Sequence, residues 1–173
     1  RIALFLEAVA HARGPLPDLA ALVVGEGPER AQLEQLALEL DLAIGRDVVF
    51  AGAVPEADLP AHFAAAQVYV HTGREESFGL SVIEALRLGL PVVSVNEGGP
   101  LDTVEQDVSG LLVPATPGGL GDAISRLLSQ PDMAQEMGRR GAASIMARYS
   151  WERGTRTLLE ALRSVRHNTG SNG

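Results

Sequence analysis

Two carboxylates, Glu76 and Glu84, stand on either side of Phe78-Gly79-Leu80 within residues 74–91, R-E-E-S-F-G-L-S-V-I-E-A-L-R-L-G-L-P. The apolar run Val68-Tyr69-Val70 precedes them and a helical pattern follows, so a strand is expected to end there and a helix to begin. The first turn of a helix has free backbone N–H groups that attract an anion, and open parallel sheets bind ligands beyond the carboxyl ends of their strands. Gly79 has no side chain to hold a ligand away from the backbone. With Glu84 about a turn and a half into the helix, the two acids cannot point at the same atoms, although both can line one crevice. That suits a long ligand better than a single proton transfer. In the plain alternative, Glu76 merely favours a helix N-terminus and Glu84 lies on a solvated face. Glu84 is nevertheless embedded in Val82-Ile83-Glu84-Ala85-Leu86, an apolar setting where an unpaired carboxylate is costly, and both acids are read as functional.

Gly98-Gly99-Pro100 closes another strand candidate, and two glycine-rich strand ends beside a pair of acids make a crevice. Of the four histidines only His71 falls near it; His11 and His62 lie on expected helices and His167 in the tail, so no pair has metal-ligand spacing. His71 is read equally well as a polar contact at a strand end. Ser77 and Ser81 lack the surroundings of an activated serine such as G-x-S-x-G. Gly25-x-Gly27 invites a dinucleotide reading, but Arg30 occupies the third glycine position, leaving a tight turn, a generic phosphate or sugar contact, and a nicotinamide cofactor as alternatives.

The elements that must position these groups alternate. Residues 1–13 carry Ile2, Phe5, Leu6, Val9 and Ala12 at helical spacing and stop at Gly14-Pro15. Strands are expected at 19–24, 48–51, 68–71, 92–95 and 110–113, and helices at 29–40, 56–66, 79–88 and 101–106. Gly89 sits where a helix end requires a left-handed residue, and Pro91 follows. From Pro117 the pattern is helical, at 119–128, 133–148 and 151–165, the last capped by Ser150 and packed by Trp151. Strands separated by helices call for an α/β, Rossmann-like parallel sheet covered on both faces. An α/β domain opening on a helix is expected to lack its first strand. One domain over residues 1–166 is expected, with 167–173 a disordered tail.

The whole composition narrows the classes. A formal charge of −8, with 22 acids against 14 bases and no basic run, excludes a nucleic-acid binder, which needs a positive face. The same acidity means that a diphosphate must be held mainly by backbone N–H groups and a few local arginines. The absence of cysteine excludes disulfides and thiolate chemistry and fits a reducing compartment. No long apolar run or signal-like leader is present, so a soluble, cytoplasmic protein is expected.

In order, Glu76-Ser77-Phe78-Gly79-Leu80, Glu84-Ala85, Gly89-Leu90-Pro91-Val92-Val93, Gly98-Gly99 and Gly110-Leu111-Leu112-Val113 resemble the C-terminal domain of the retaining group 1, or family four, glycosyltransferases. Gly25-Glu26-Gly27-Pro28 and Tyr149-Ser150-Trp151 look like flanking signatures of the same family. The resemblance implies one lobe of a two-lobed GT-B fold. Its ligand would be a nucleotide-sugar donor, a UDP-, GDP- or ADP-sugar, used as substrate without metal or other cofactor and with retention at the sugar. By resemblance, Glu76 is the catalytic residue, meeting the hydroxyls of the transferred sugar near the reacting centre, and Glu84 accepts from the ribose hydroxyls. Ser77, Phe78, Gly79, Leu80 and Ser81 hold the diphosphate end, the loop at Gly52 and Val54 borders the base, and Gly98 and Gly99 complete the donor site. The implied partners are the donor and an N-terminal acceptor lobe, with peripheral membrane association of the full-length enzyme a further expectation. The family's Arg and Lys just upstream of the first helix are not matched here, and Asp102 stands where Gly-Gly-x-x-Glu has its acid. A nucleotide-sugar epimerase or hydrolase of the same architecture, and a non-catalytic nucleotide-sugar-binding domain, are the alternatives.

Overall fold

The structure, a computed structural model, describes residues 1–74 and 79–149. Glu76, Ser77, Phe78, the helix expected at 151–165 and the tail expected at 167–173 lie outside the described residues.

Among the described residues, five strands alternate with helices. They are β1 (Ala21–Val24), β2 (Val48–Gly52), β3 (Tyr69–His71), β4 (Val92–Val95) and β5 (Gly110–Val113). The helices are α1 (Ile2–Arg13), α2 (Arg30–Glu39), α3 (Leu59–Ala64), α4 (Leu80–Arg87), α5 (Pro100–Thr103), α6 (Pro117–Ser129) and α7 (Pro131–Arg148). All pairings among them are parallel, as βαβ connections require. The strands form two sheets, β1-β2 and β3-β4-β5, where one continuous sheet was expected.

Local chemistry accounts for most boundaries. All four residues of β4 are buried, consistent with its unbroken run of Val92, Val93, Ser94 and Val95. The α4 helix ends in a Schellman motif: Gly89, at φ 78°, donates to Leu86 O at 2.9 Å and Leu90 donates to Ala85 O at 3.0 Å. Asp41, at φ 57°, ends α2 in the same way through Asp41 N–H to Leu38 O and Leu42 N–H to Ala37 O. The helices expected at 119–128 and 133–148 both start earlier, at Pro117 and Pro131, because proline tolerates the first turn, where its missing N–H costs nothing. Thr116 caps α6 by accepting from the Gly119 N–H. The helix expected at 56–66 divides into a 3₁₀ turn at Glu56–Asp58 and the shorter α3.

The chain direction follows from α1. Its N-cap residue, Arg1, lies at the carboxyl end of β3, where the Arg1 Nε donates to Thr72 O at 2.8 Å. Its last residue, Arg13, reaches the amino ends of the other sheet, donating to Leu19 O and pairing with Asp47 at 3.1 Å. Since α1 runs antiparallel to β3 and to β1, the strands of both sheets point the same way and their carboxyl ends share one edge. On one side of the sheets, α1 and α6 pack around Ala8, Ala12, Leu120 and Leu127 against Val93 and Val95. On the other, α4 and α7 enclose Val82, Leu86 and Ile145 against Val92. Small residues permit the close contacts. A Cβ added to Gly138 on α7 would lie 1.9 Å from Gly89 O.

Candidate functional site

At the shared carboxyl edge, β3 ends in buried His71, whose strand register pairs it with Ser94. Gly79 forms the N-cap of α4 in the left-handed region, at φ 67° and ψ 53°, where a side chain would be strained. The first helical bond runs from the Ile83 N–H to Gly79 O at 3.1 Å, so the amides of Leu80, Ser81 and Val82 have no acceptor within the helix. Among the described residues no side chain caps them. A Cβ placed on Gly79 would lie 3.9 Å from Pro100 Cδ. The start of α4 therefore rests against Gly98-Gly99-Pro100, and the two glycine-bearing strand ends inferred from the sequence meet. Gly98, at φ 67°, is exposed, while Gly99 is buried beneath it.

Glu84 is not buried among its apolar sequence neighbours. The side chains that α4 buries are Val82, Ala85 and Leu86, whereas Glu84 is exposed. Each residue of a helix turns 100° from the last, so neighbours in sequence can face opposite ways. The Glu84 carboxylate thus faces water and incurs no burial cost. Leu80, 65% exposed, is four residues earlier and shares the face of Glu84. One open face of α4 consequently carries both the free amide end and the carboxylate, with Ser81 half-buried beside them.

Gly52 and Val54 lie at the carboxyl end of β2, on the same edge but in the other sheet. Gly52, at φ 74°, accepts from the Gly25 N–H at 2.8 Å, so Gly25 joins the ends of β1 and β2 as a turn residue. Catalytic candidate Glu76, with Ser77 and Phe78, lies outside the described residues.

Sequence reasoning missed the local cations. Glu97, in the loop after β4, pairs with Arg1 at 3.0 Å and approaches Arg74 at 3.8 Å. Two guanidinium groups thereby stand at the rim of an otherwise acidic chain, Arg74 being 74% exposed. The place of Arg74 directly after a strand was a usable signal; nothing local marked Arg1. Asp102 is exposed, and its backbone carbonyl accepts from Arg148. Among the described residues, no three His, Asp or Glu side chains are grouped to hold a metal ion, and no helix is long and apolar enough to cross a membrane.

Residues 1–144 match the family described as Glycosyl transferases group 1. The chain belongs to that family. It is 33% identical, over 94% of its length, to a GDP-mannose-dependent alpha-(1-6)-phosphatidylinositol monomannoside mannosyltransferase of Mycolicibacterium smegmatis, and spans 45% of that relative. Among solved structures it is similar to HepE of Anabaena in complex with UDP, with TM-score 0.82 and 27% identity over 93% of this chain and 44% of that one. It shares its fold with the C-terminal domain of the group 1 protein LpcC of Francisella tularensis, with TM-score 0.78 and 24% identity over 87% of this chain and 80% of that one. The sequence resemblance to group 1 and the Rossmann-like expectation both hold, and the fold is that of a GT-B lobe.

Proposed function

We propose that the chain is the donor-binding lobe of a retaining, metal-independent glycosyltransferase that moves a sugar from a nucleotide-diphosphate donor to an acceptor held by another lobe. One observation carries this reading: the N-terminus of α4, which no side chain caps among the described residues, abuts Pro100 of the Gly98-Gly99-Pro100 turn, and Glu84 stands on the same open helix face. The diphosphate fits the free amides of Leu80 and Ser81, where the helix dipole favours negative charge. As the bond from sugar to phosphate breaks, negative charge grows on the leaving diphosphate, and fixed amides aimed at it lower the barrier. Arg1 and Arg74 supply positive charge at the rim. Glu84 accepts from the ribose hydroxyls, Gly52 and Val54 border the base, and Glu76 meets the transferred sugar. Cytoplasmic location belongs to the same reading and is supported by the cysteine-free composition.

The mycolicibacterial relative is GDP-mannose-dependent, whereas HepE was solved with UDP, so the base is a question for titration. UDP, GDP and ADP are each titrated into the polypeptide that contains this chain and its upstream residues. Binding of one of them, weakened at least tenfold by Glu84→Ala, is the expected result. No binding of any of the three at millimolar concentration would overturn the reading.

A further inference from the structure

The loop from β4 to α5 sets a carboxylate where an anion site needs positive charge. Glu97 Oε2 accepts from Arg1 Nη2 at 3.0 Å and lies 3.8 Å from Arg74 Nε, so both rim guanidinium groups converge on one oxygen atom. Gly98 and Gly99 follow Glu97 directly, and Pro100 beyond them lies against Gly79 at the head of α4. The carboxylate and the free amides of α4 therefore border the same mouth.

A purely structural role accounts poorly for Glu97. Arg1 is fastened to β3 without it, its Nε donating to Thr72 O at 2.8 Å and its carbonyl accepting from Thr72 Oγ1 at 3.1 Å. The contact with Arg74 exceeds hydrogen-bond length, and Arg74 is largely exposed. Glu97 itself is 34% exposed, and ion pairs so open to water add little to folding. What the carboxylate does change is charge, since it cancels half of the positive charge that the two arginines bring to the rim.

We propose that Glu97 is an internal competitor for the rim cations: its carboxylate engages Arg1 and Arg74 before the donor arrives, yields them to the diphosphate, and returns to help expel the nucleoside diphosphate product. The inference rests on the donor-lobe reading above. The anchorage of Arg1 permits the exchange, because Nε stays on Thr72 O while Nη2 trades one anion for another. The backbone beside Glu97 is pinned on both sides, the Asn96 N–H donating to Val113 O at 2.9 Å and Gly98 O accepting from the Leu101 N–H at 3.2 Å, so only the Glu97 side chain has to turn. Loss of the sugar gives the product a terminal phosphate with a second ionisation at about pH 6, so at neutral pH the product is more negative than the donor and holds the same arginines harder. A carboxylate poised to reclaim them opposes that tighter hold.

Affinity and release rate of UDP, GDP and ADP are measured on the same polypeptide, unaltered and as Glu97→Gln and Glu97→Asp. Glu97→Gln is expected to tighten whichever diphosphate binds by about three- to tenfold at low ionic strength, through slower release, with the gain shrinking in high salt because the charges are exposed. Glu97→Asp, which keeps the charge, is expected to give no such gain. Both substitutions alter a partly exposed side chain, so both variants are expected to fold. The inference is overturned, with the donor-lobe reading intact, if the unaltered protein binds a diphosphate and Glu97→Gln leaves its affinity unchanged or weaker. A gain that high salt does not reduce, or an equal gain in Glu97→Asp, also overturns it, since charge would then not be the cause. No binding by any of the three proteins overturns the donor-lobe reading and this inference together.

Discussion

Arg1 and Thr72 hold each other by two hydrogen bonds, guanidinium to carbonyl at 2.8 Å and hydroxyl to carbonyl at 3.1 Å, across 71 positions of sequence. Thr72 is 6% exposed. Thr72→Val keeps the shape and removes the hydroxyl, leaving the Arg1 carbonyl without that donor. A loss of about 1 kcal/mol is expected, seen as a fall of roughly 2–4 °C in melting temperature.

Gly138 and Gly27 provide a matched pair. A Cβ at Gly138 would fall 1.9 Å from Gly89 O and 2.8 Å from Gly89 C, both backbone atoms at the α4–β4 turn. Gly138→Ala must push α7 away from that turn and is expected to cost at least about 2 kcal/mol in urea unfolding. At Gly27 a Cβ meets nothing within 4 Å, so Gly27→Ala is expected to stay within about 0.5 kcal/mol of the unaltered protein.

At the proposed donor site, two substitutions separate backbone conformation from charge. Gly79→Ala places a side chain at φ 67°, a strain of about 1–2 kcal/mol, and turns the α4 amides away from a ligand. Lower stability together with weaker nucleoside diphosphate binding is expected. Glu84→Gln alters an exposed side chain, so unfolding should be unchanged while affinity drops roughly 10- to 100-fold, the range of a lost charged hydrogen bond. Calorimetric titration of both variants checks the contrast.

Asp47 makes the fold sensitive to acid. Its carboxylate is 3% exposed and is held well below the ordinary range by hydrogen bonds from Arg46, then by the Ala43 N–H, with Arg13 adding its charge. The folded group titrates below its unfolded value of about 3.9, so its contribution is complete above about pH 5 and is lost as pH falls toward and past the folded value. Melting temperature followed from pH 6 to pH 2 should decline more steeply for the unaltered protein than for Asp47→Asn. Equal slopes would remove Asp47 from the acid response.

Much of this was legible before any coordinates. β4 and β5 fall on the residues read as strands because unbroken Val and Leu runs bounded by Gly and Pro admit little else. The Gly89-x-Pro91 end of α4 was equally plain, since only a residue tolerant of positive φ completes that turn. Pro117 and Pro131 carried readable starts that apolar periodicity alone had placed two residues late. Glu84 was misjudged because sequence neighbours were taken for spatial ones, whereas a helix sends them to different faces.

The sequence by itself determined the alternation of strands and helices, the glycine at the head of α4 and the family, because periodicity, turn chemistry and ordered motifs are properties of short stretches. Tertiary structure alone decided that Gly79 meets Pro100, that Arg1 and Arg74 gather on Glu97, and that Asp47 sits under Arg13. Those contacts join segments distant along the chain. Their partners are chosen by how helices pack across the sheets, and no local pattern encodes that choice.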